Sequence, residues 1–312
     1  MADFRISDQS RYMGMVPAYN SLLARQIQLQ NQIASGKRWD SADQDPVGVA
    51  IAQRLHTEDA RLVQDLRNGA EATAFSQTTE TAVMSAVDML QRARELAVQA
   101  NDPTKTPADR QAIAVEVEHL LGGLVDLGAM KHRGRAIFSG TKTLTNSFQA
   151  VTDVSGKITG VSYNGNGESF STEFSPSQAI AYNMLGSNEA GGNFGLFRDT
   201  AAGVDVFQTL INFRDNLTSN PAALDTDLQQ ISGALSHLTE GAARLGGMQA
   251  RLAAAVSRHE EQRQVLSVTL SRLEDTDVAA AITELNQLQT AYQASLAVGA
   301  RIGQMSLVNY LR

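Results

Sequence analysis

The sequence of 312 residues contains no cysteine and few aromatic residues. The lack of cysteine excludes disulfides, thiolate metal sites and cysteine nucleophiles. Aromatic residues make up only 5% of the chain, although 43% of it is apolar. Such a composition favours close packing of one helix on another over a thick globular core, so we expect long helical bundles.

Basic residues and long apolar runs are also scarce. Lys and Arg number 26 against 33 Asp and Glu, which gives a net charge of -7. Because nucleic-acid binding needs a clustered basic surface, we expect no nucleic-acid partner. No apolar run approaches the length of a membrane span, so we expect no membrane partner. The opening MADFRISDQS lacks the features of a cleaved signal peptide, so any export should use another route.

No motif in the sequence supports catalysis. The string HEEQR at 259–263 begins like a zinc-protease helix but has arginine where the second histidine must lie. Asp40, Asp43 and Asp45 lack the spacing and the final glutamate of a calcium loop. The sequence therefore predicts a protein that is not an enzyme, with no catalytic residue, cofactor or metal site.

The segment SGKR at 35–38 contains a Gly-Lys pair but lacks the other residues of a phosphate-binding loop. We interpret it as a helix stop followed by basic residues. Lys37 and Arg38 are then expected to form ion pairs with the acidic residues at 40–45, which also supply a helix N-cap.

Both ends of the chain carry apolar residues at alternating steps of three and four, the pattern of one helix face. The first stripe contains Met13, Val16, Asn20, Leu23, Ile27, Gln30 and Ala34. The second contains Val278, Ile282, Leu285, Leu288, Tyr292, Leu296, Ile302 and Met305. Nothing nearby in sequence can cover either stripe. We therefore predict an assembly interface at Leu23, Ile27, Val278, Ile282, Leu285, Leu288, Tyr292, Leu296, Ile302 and Met305.

Proline marks the starts of the inner helices. Asp45-Pro46, Thr106-Pro107, Ser175-Pro176 and Asn220-Pro221 each join an N-cap residue to a proline suited to the first helical turn. The pattern predicts one long helix from Pro46 to about Ala100 and a second one after a turn at 101–105. Another long helix is expected from Pro221 to Leu273. Pro17 leaves the start of the first terminal helix open.

Between the helices, the composition changes to Gly, Ser, Thr and Asn. The segments 148–154, 157–163 and 169–174 have strand patterns, with hairpin turns expected at 153–156 and 164–167 and a short helix at 177–185. The fold class is therefore mainly α: a long antiparallel helical bundle with paired N- and C-terminal coiled-coil helices and a small β-rich insert. Three domains are expected. They are a terminal coiled coil (1–40 with 275–312), a helical bundle (41–139 with 201–274) and a β-rich outer domain (140–200).

The segment SGKRWDSADQDPVGVAIAQRL at 35–55 resembles the connection between the first two helices of the flagellin family. The likeness continues through the second and third helices and returns at SRLEDTDVAAAITELNQLQTAYQASLAVGARIGQMSLVNYL. Two features, RGRAIFSGTKTLTNSF at 133–148 and the opening FRISDQSRYMGMV, are closer to family members at the junction between hook and filament than to filament flagellin.

This resemblance implies a structural subunit exported unfolded by the flagellar type III apparatus and assembled into a tube at the bacterial surface. Its implied partners are other copies of the chain, the adjoining hook-associated junction protein, flagellin and, before secretion, an export chaperone. We expect the terminal helices to be mobile in a free monomer and to become ordered on assembly. The alternatives are flagellin itself, a secreted enzyme in the insert and a cytosolic coiled-coil adaptor.

Overall fold

A computed structural model describes residues 3–175, 178–189 and 192–310, and the side chains at 16–174, 179–189 and 192–301. Within this part of the chain the fold is mainly helical, with a β-rich insert between the third and fourth helices. The helices are α1 (Asp3–Ser35), α2 (Pro46–Ala100), α3 (Pro107–Gly128), α4 (Val206–Ser219), α5 (Leu224–Glu274) and α6 (Val278–Tyr310). The predicted fold class is confirmed.

The helix starts predicted at Pro46 and Pro107 are confirmed. Thr106 and Asp109 form a reciprocal capping box at the start of α3. Asp45 accepts a hydrogen bond from the Gly48 N–H at the start of α2 (2.9 Å). Pro221 instead opens a 3₁₀ turn, and α5 follows it from Leu224. Pro17 lies inside α1, so this helix neither starts nor ends at the proline.

The insert consists of short strands in small separate sheets. The strands are β1 (Lys131–His132), β2 (Arg135–Ala136), β3 (Phe148–Thr152), β4 (Ile158–Tyr163), β5 (Ser171–Ser175), β6 (Gln178–Ala181), β7 (Leu185–Ser187), β8 (Gly195–Asp199) and β9 (Val204–Asp205). The pairs β1–β2, β3–β4, β5–β6 and β8–β9 are antiparallel, whereas β7 and β8 are parallel. The predicted hairpin turn at 153–156 is confirmed, with the Asp153 N–H donating to the Lys157 carbonyl (2.9 Å).

Two local predictions for the insert are wrong. The expected helix at 177–185 is replaced by β6 and β7, because Ile180 pairs with Thr172 of β5 and lies buried beside Phe174. The segment 164–167 does not form a hairpin, since β4 pairs with β3 and β5 with β6. Its Asn166 instead bonds Ser139 and Thr141. In both places contacts with residues outside the segment outweigh the local sequence signals.

The few aromatic residues are concentrated where the insert meets α3 and α4. Phe148 contacts the rings of Tyr163, Phe197 and Phe207 at centroid distances of 5.0, 5.5 and 4.9 Å. Gly128 at the end of α3 leaves room for Phe148, because a Cβ there would lie 2.8 Å from its ring. The core of the insert therefore depends on a handful of large side chains.

The chain divides into two compact units, residues 1–62 with 261–312 and residues 63–260. The first contains α1, α6 and one end each of α2 and α5. The second contains the rest of α2 and α5, together with α3, α4 and the insert. Among the helices that the structure describes, none combines the length and apolar character of a bilayer span.

Candidate assembly surface of the terminal helices

The terminal helices α1 and α6 pack against each other in antiparallel fashion. Tyr19 of α1 meets Tyr292 of α6 edge to face, with 5.9 Å between ring centroids. Farther along α1, the Arg25 guanidinium lies 2.8 Å from a carboxylate oxygen of Glu284. As the contacts advance toward the C-terminal end of α1, they move toward the N-terminal end of α6, which is the order of an antiparallel pair. The predicted pairing of the two ends is confirmed.

One stripe on each helix forms the seam between them. Five α1 residues that are at least partly buried follow steps of three and four: Tyr19, Leu22, Gln26, Leu29 and Ile33, and Gln28 and Gln32 beside them are also at least partly buried. On α6 the corresponding residues are Ala281, Leu285, Leu288, Tyr292, Ser295 and Gly299. At Gly299 the helices approach closely, because a Cβ there would lie 3.2 Å from the Tyr19 hydroxyl. These spacings are those of a heptad seam.

A second apolar face remains exposed on both helices. On α1, Leu23 and Ile27 are 45% and 49% exposed, and their neighbour along the predicted stripe, Val16, is also exposed. On α6, Leu296 is 47% exposed. Large apolar side chains in a continuous exposed stripe are typical of an interaction surface, whereas isolated ones are ordinary. The predicted α1 stripe therefore faces away from the chain's own helix pair.

The predicted site residues accordingly separate into two groups. Leu285, Leu288 and Tyr292 are partly buried in the seam with α1. The exposed group comprises Leu23, Ile27, Val278, Ile282 and Leu296. The side chains of Ile302 and Met305 lie outside the described residues. Sequence reasoning missed the α1 seam because the predicted stripe has the same heptad spacing one position later in the chain and is similarly apolar.

At the end of the pair where α1 stops and α6 starts, the connection from α1 to α2 lies against the connection from α5 to α6. Gly36 ends α1 with a φ of +69°, the left-handed conformation that glycine adopts most easily. Its carbonyl accepts a hydrogen bond from the Thr276 N–H (3.0 Å). The Arg38 N–H donates to the Glu274 carbonyl (2.6 Å). The helix stop predicted at 35–38 is therefore confirmed, and it joins two connections that are distant in sequence.

A charged cluster of Lys37, His56, Glu274 and Asp275 surrounds these backbone contacts. Lys37 Nζ lies 2.9 Å from a Glu274 oxygen and 3.0 Å from Asp275 Oδ1. The other Glu274 oxygen lies 2.6 Å from His56 Nε2. Burial alone would raise the pKa of Glu274, but hydrogen bonds with Lys37 and His56 bring that pKa below its ordinary value. The hydrogen bond to Glu274, followed by that to Asp275, raises the pKa of Lys37.

The expected pairing of the basic residues with the acidic loop is wrong for Lys37. Its partners are Glu274 and Asp275, at the end of α5, because the backbone bridge between Lys37 and Asp275 brings these residues together. No ion pair joins Arg38 to the loop among the described side chains. Asp45 does cap α2, as predicted.

The histidine of the string at 259–263 has a packing role. His259 is buried, and its ring meets Phe174 edge to face with 5.3 Å between centroids. Its Nδ1 lies 3.9 Å from Asp65. Within the described residues, no group of histidine and acidic side chains has the arrangement needed to hold a metal ion.

Two family models match the chain, and together they cover well over half of it. The bacterial flagellin N-terminal helical region matches residues 6–143, and the bacterial flagellin C-terminal helical region matches residues 228–311. Among curated relatives, the flagellin of Bacillus subtilis is 26% identical over 88% of both chains. The flagellar filament core protein flaB2 of Brachyspira hyodysenteriae is 38% identical over 34% of this chain and 38% of its own length.

Solved structures with the same fold come from hook-associated proteins. A flagellar hook-associated protein from Vibrio parahaemolyticus matches with a TM-score of 0.64 and 18% identity, over 74% of this chain and all of that one. Hook-associated protein 3 from Legionella pneumophila matches with a TM-score of 0.59 and 19% identity, over 71% of this chain and 98% of that one. The proteins found by these comparisons are structural parts of flagella and not enzymes. The chain belongs to the flagellin family of bacterial flagellar structural proteins.

Proposed function

We propose that this chain is the subunit that joins the flagellar hook, through an adjoining hook-associated protein, to the flagellin filament. The proposal rests on the observation that each terminal helix has one face packed within the chain and a second apolar face left exposed. One face of α1 and α6 forms the pair within the chain, while Leu23, Ile27 and Leu296 remain about half exposed on the other. In this proposal the contacts between copies join unlike surfaces head to tail, and interfaces of that kind can extend along an axis instead of closing.

The choice of the junction over the filament has two supports. The first is the fold, because the structural alignment with this chain extends over almost the whole length of the two hook-associated structures. The second is the segment at 133–148, whose first residues form the tight β1–β2 hairpin. Arg133 and Gly134 have positive φ there, at 49° and 80°. Ile137 and Phe138, which follow, are fully buried where the chain leaves the bundle for the insert. The opening FRISDQS lies outside the described side chains.

In this role the partners are other copies of the chain, the adjoining hook-associated protein on one side and flagellin on the other. The terminal helices provide contacts between copies. The subunit is held before secretion by an export chaperone and is then exported. It functions outside the cell, at the boundary of hook and filament.

The test is the position of the protein on intact flagella. A strain lacking the gene is complemented with a copy that carries an epitope tag in the exposed β3–β4 turn, where Val154 is fully exposed. Immunogold labelling should give a single band at the end of each hook, and the uncomplemented strain should shed its filaments. Labelling along the whole filament would contradict the proposal.

Filament flagellin is the second candidate, and the alignment with Bacillus subtilis flagellin over 88% of both chains favours it. A filament subunit should polymerise by itself into long tubes when the purified protein is seeded with filament fragments. A junction subunit should form no long tubes under these conditions.

A further inference from the structure

The chain contains the dipeptide Asn-Gly in three places, one in α2 and two in the segment that follows β4. They are Asn68-Gly69, Asn164-Gly165 and Asn166-Gly167. In this dipeptide the asparagine side chain reacts readily with the next backbone nitrogen, because glycine has no side chain to shield that nitrogen and its backbone is flexible. The sequence gives the three pairs the same chemistry, but their surroundings in the folded chain differ.

The reaction is a deamidation that needs no enzyme. The glycine backbone nitrogen loses its proton and attacks the asparagine Cγ. A bond forms between this nitrogen and Cγ, and the bond from Cγ to the side-chain nitrogen breaks. Ammonia leaves and carries away the proton, and water then opens the cyclic imide at either carbonyl to give aspartate or isoaspartate. The asparagine side chain must therefore be free to place its Cγ against the glycine nitrogen.

The surroundings of Asn164 permit this approach. Its side chain is exposed, and the amide nitrogen lies 3.5 Å from the Asn146 carbonyl oxygen, where a hydrogen bond is weak. The Gly165 N–H makes no hydrogen bond with the described residues. The Asn164 N–H donates to the Ser147 carbonyl (2.9 Å), so the backbone is held while the side chain can rotate.

Asn166 is only two positions away, but its amide is held on both sides. Its side-chain oxygen accepts a hydrogen bond from the Thr141 N–H (2.9 Å), and its amide nitrogen donates to the Thr141 hydroxyl (2.7 Å). The same nitrogen lies 3.4 Å from a Glu168 carboxylate oxygen. The side chain must give up these contacts before its Cγ can reach the Gly167 nitrogen, so the fold should slow the reaction at Asn166.

Asn68 is protected by its helix. Asn68 and Gly69 lie in the interior of α2, where the Gly69 N–H is part of the helical hydrogen-bond ladder. Side chains in a helix point back toward its N-terminus, which carries the Asn68 amide away from the next backbone nitrogen. Gln64 also donates a hydrogen bond to the Asn68 side-chain oxygen (3.0 Å).

We propose that Asn164 is a site of spontaneous deamidation and that the fold protects Asn166 and Asn68 from the same reaction. The product carries a new negative charge, and isoaspartate adds a methylene to the backbone next to Gly165. This position is closely packed, because a Cβ on Gly165 would collide with the Tyr163 hydroxyl and lie 2.8 Å from the Ser139 Cα. The inference does not depend on the junction role.

The first experiment compares the three sites in one sample. Full-length protein is incubated in mildly alkaline buffer and digested, and mass spectrometry with electron-transfer fragmentation distinguishes the sites and separates isoaspartate from aspartate. Asn164 should react at least about tenfold faster than Asn166 or Asn68, because both of these must first lose hydrogen bonds. Equal rates at Asn164 and Asn166, or aspartate without isoaspartate, would overturn the proposal.

The same incubation in guanidinium chloride removes the fold and keeps the sequence. The three sites should then react at similar rates, because each asparagine is followed by glycine. If Asn164 stayed the fastest site by the same factor, the local sequence would set the order and the proposed protection would be wrong.

A pair of threonine variants tests the protection of Asn166. Thr141→Val removes the hydroxyl that holds the Asn166 amide nitrogen, so it should speed deamidation of Asn166 by about three- to tenfold and leave Asn164 unchanged. Thr145→Val is the control, because its hydroxyl donates to the Lys142 carbonyl of the same loop (3.1 Å). It should change neither rate. An unchanged Asn166 rate in Thr141→Val would refute the protection.

The variant Asn164→Gln tests the consequence for the insert. Glutamine keeps the amide but must close a larger ring, so it deamidates much more slowly. After incubation the original protein should unfold at a lower temperature than before, whereas Asn164→Gln should keep its midpoint. An equal fall in both proteins would contradict the assignment of the damage to Asn164.

Discussion

Lys37 and Glu274 stand 237 positions apart in the chain, yet the Lys37 ammonium lies 2.9 Å from the Glu274 carboxylate. This pair ties the end of α1 to the end of α5, and His56 brings α2 to the same carboxylate. Because α1 ends and α6 begins within a few residues of this cluster, it holds together the two connections that lead to the terminal helices.

Replacing Glu274 with glutamine should lower the stability of the protein in a pH-dependent way. The native pKa of Glu274 lies below its ordinary value of 4.5, so its contribution is present above pH 4.5 and lost as the pH falls through the native pKa. We expect Glu274→Gln to reduce the free energy of unfolding by about 1–3 kcal/mol at pH 7 and by less at pH 3. Urea unfolding at both pH values measures this. The exposed Glu58→Gln serves as the control, and a loss independent of pH would contradict the prediction.

Replacing Gly36 with alanine should destabilise the same region through the backbone alone. Its φ of +69° is unfavourable for residues with a Cβ, although no atom lies within 4 Å of where that Cβ would be. We expect a loss of about 1–2 kcal/mol for Gly36→Ala. Gly36→Asn should cost less, because asparagine tolerates the left-handed region better. Chemical denaturation compares the two, and equal losses would argue against a conformational cause.

Replacing Ile27 with aspartate should block incorporation into the flagellum without unfolding the subunit. Ile27 is 49% exposed in the single chain, so a charge there costs little until another copy covers it. Asn31→Asp adds the same charge to the same helix without removing an apolar side chain. Motility and filament attachment in complemented cells should be lost only with Ile27→Asp. If both variants attach filaments normally, this face of α1 is not an interface.

Replacing Leu285 or Leu296 with aspartate should separate the two roles of α6. Leu285 is partly buried in the seam with α1, whereas Leu296 is 47% exposed. Both substitutions should prevent incorporation, but only Leu285→Asp should also break the pairing of α1 and α6. A cross-link between cysteines placed at Tyr19 and Tyr292 in assembled or export-arrested protein reports that pairing. Equal cross-linking in the two variants would contradict the division of roles.

Dilute monomer should lose its two ends first under limited proteolysis. The exposed apolar stripes of α1 and α6 become buried only when other copies pack against them. The protease should therefore cleave within residues 1–40 and 275–312 before it cleaves the helical bundle. Mass spectrometry of the fragments, with and without assembly, measures the difference. Ends that stay intact in dilute monomer would count against ordering on assembly.

Much of the helical architecture could be predicted because its signals are local. The N-cap and proline at Asp45-Pro46 and Thr106-Pro107 specify helix starts whatever surrounds them. The heptad spacing on both ends likewise predicted a helix pair. The insert was harder to predict, because β5 and β6 form strands only when Phe174 and Ile180 are buried against other parts of the chain.

The sequence alone therefore determined the long helices, the pairing of the two ends, the turn at Gly36 and the absence of cysteine chemistry. These follow from periodicity, capping and residue type, which act over a few positions. Only the tertiary structure decided which stripe of α1 faces α6, that Lys37 pairs with Glu274 and that Gln178–Ala181 forms a strand. Each of these depends on which side chains from distant parts of the chain are buried together. The free energy of that packing is a property of the whole folded structure and cannot be assigned to any short segment.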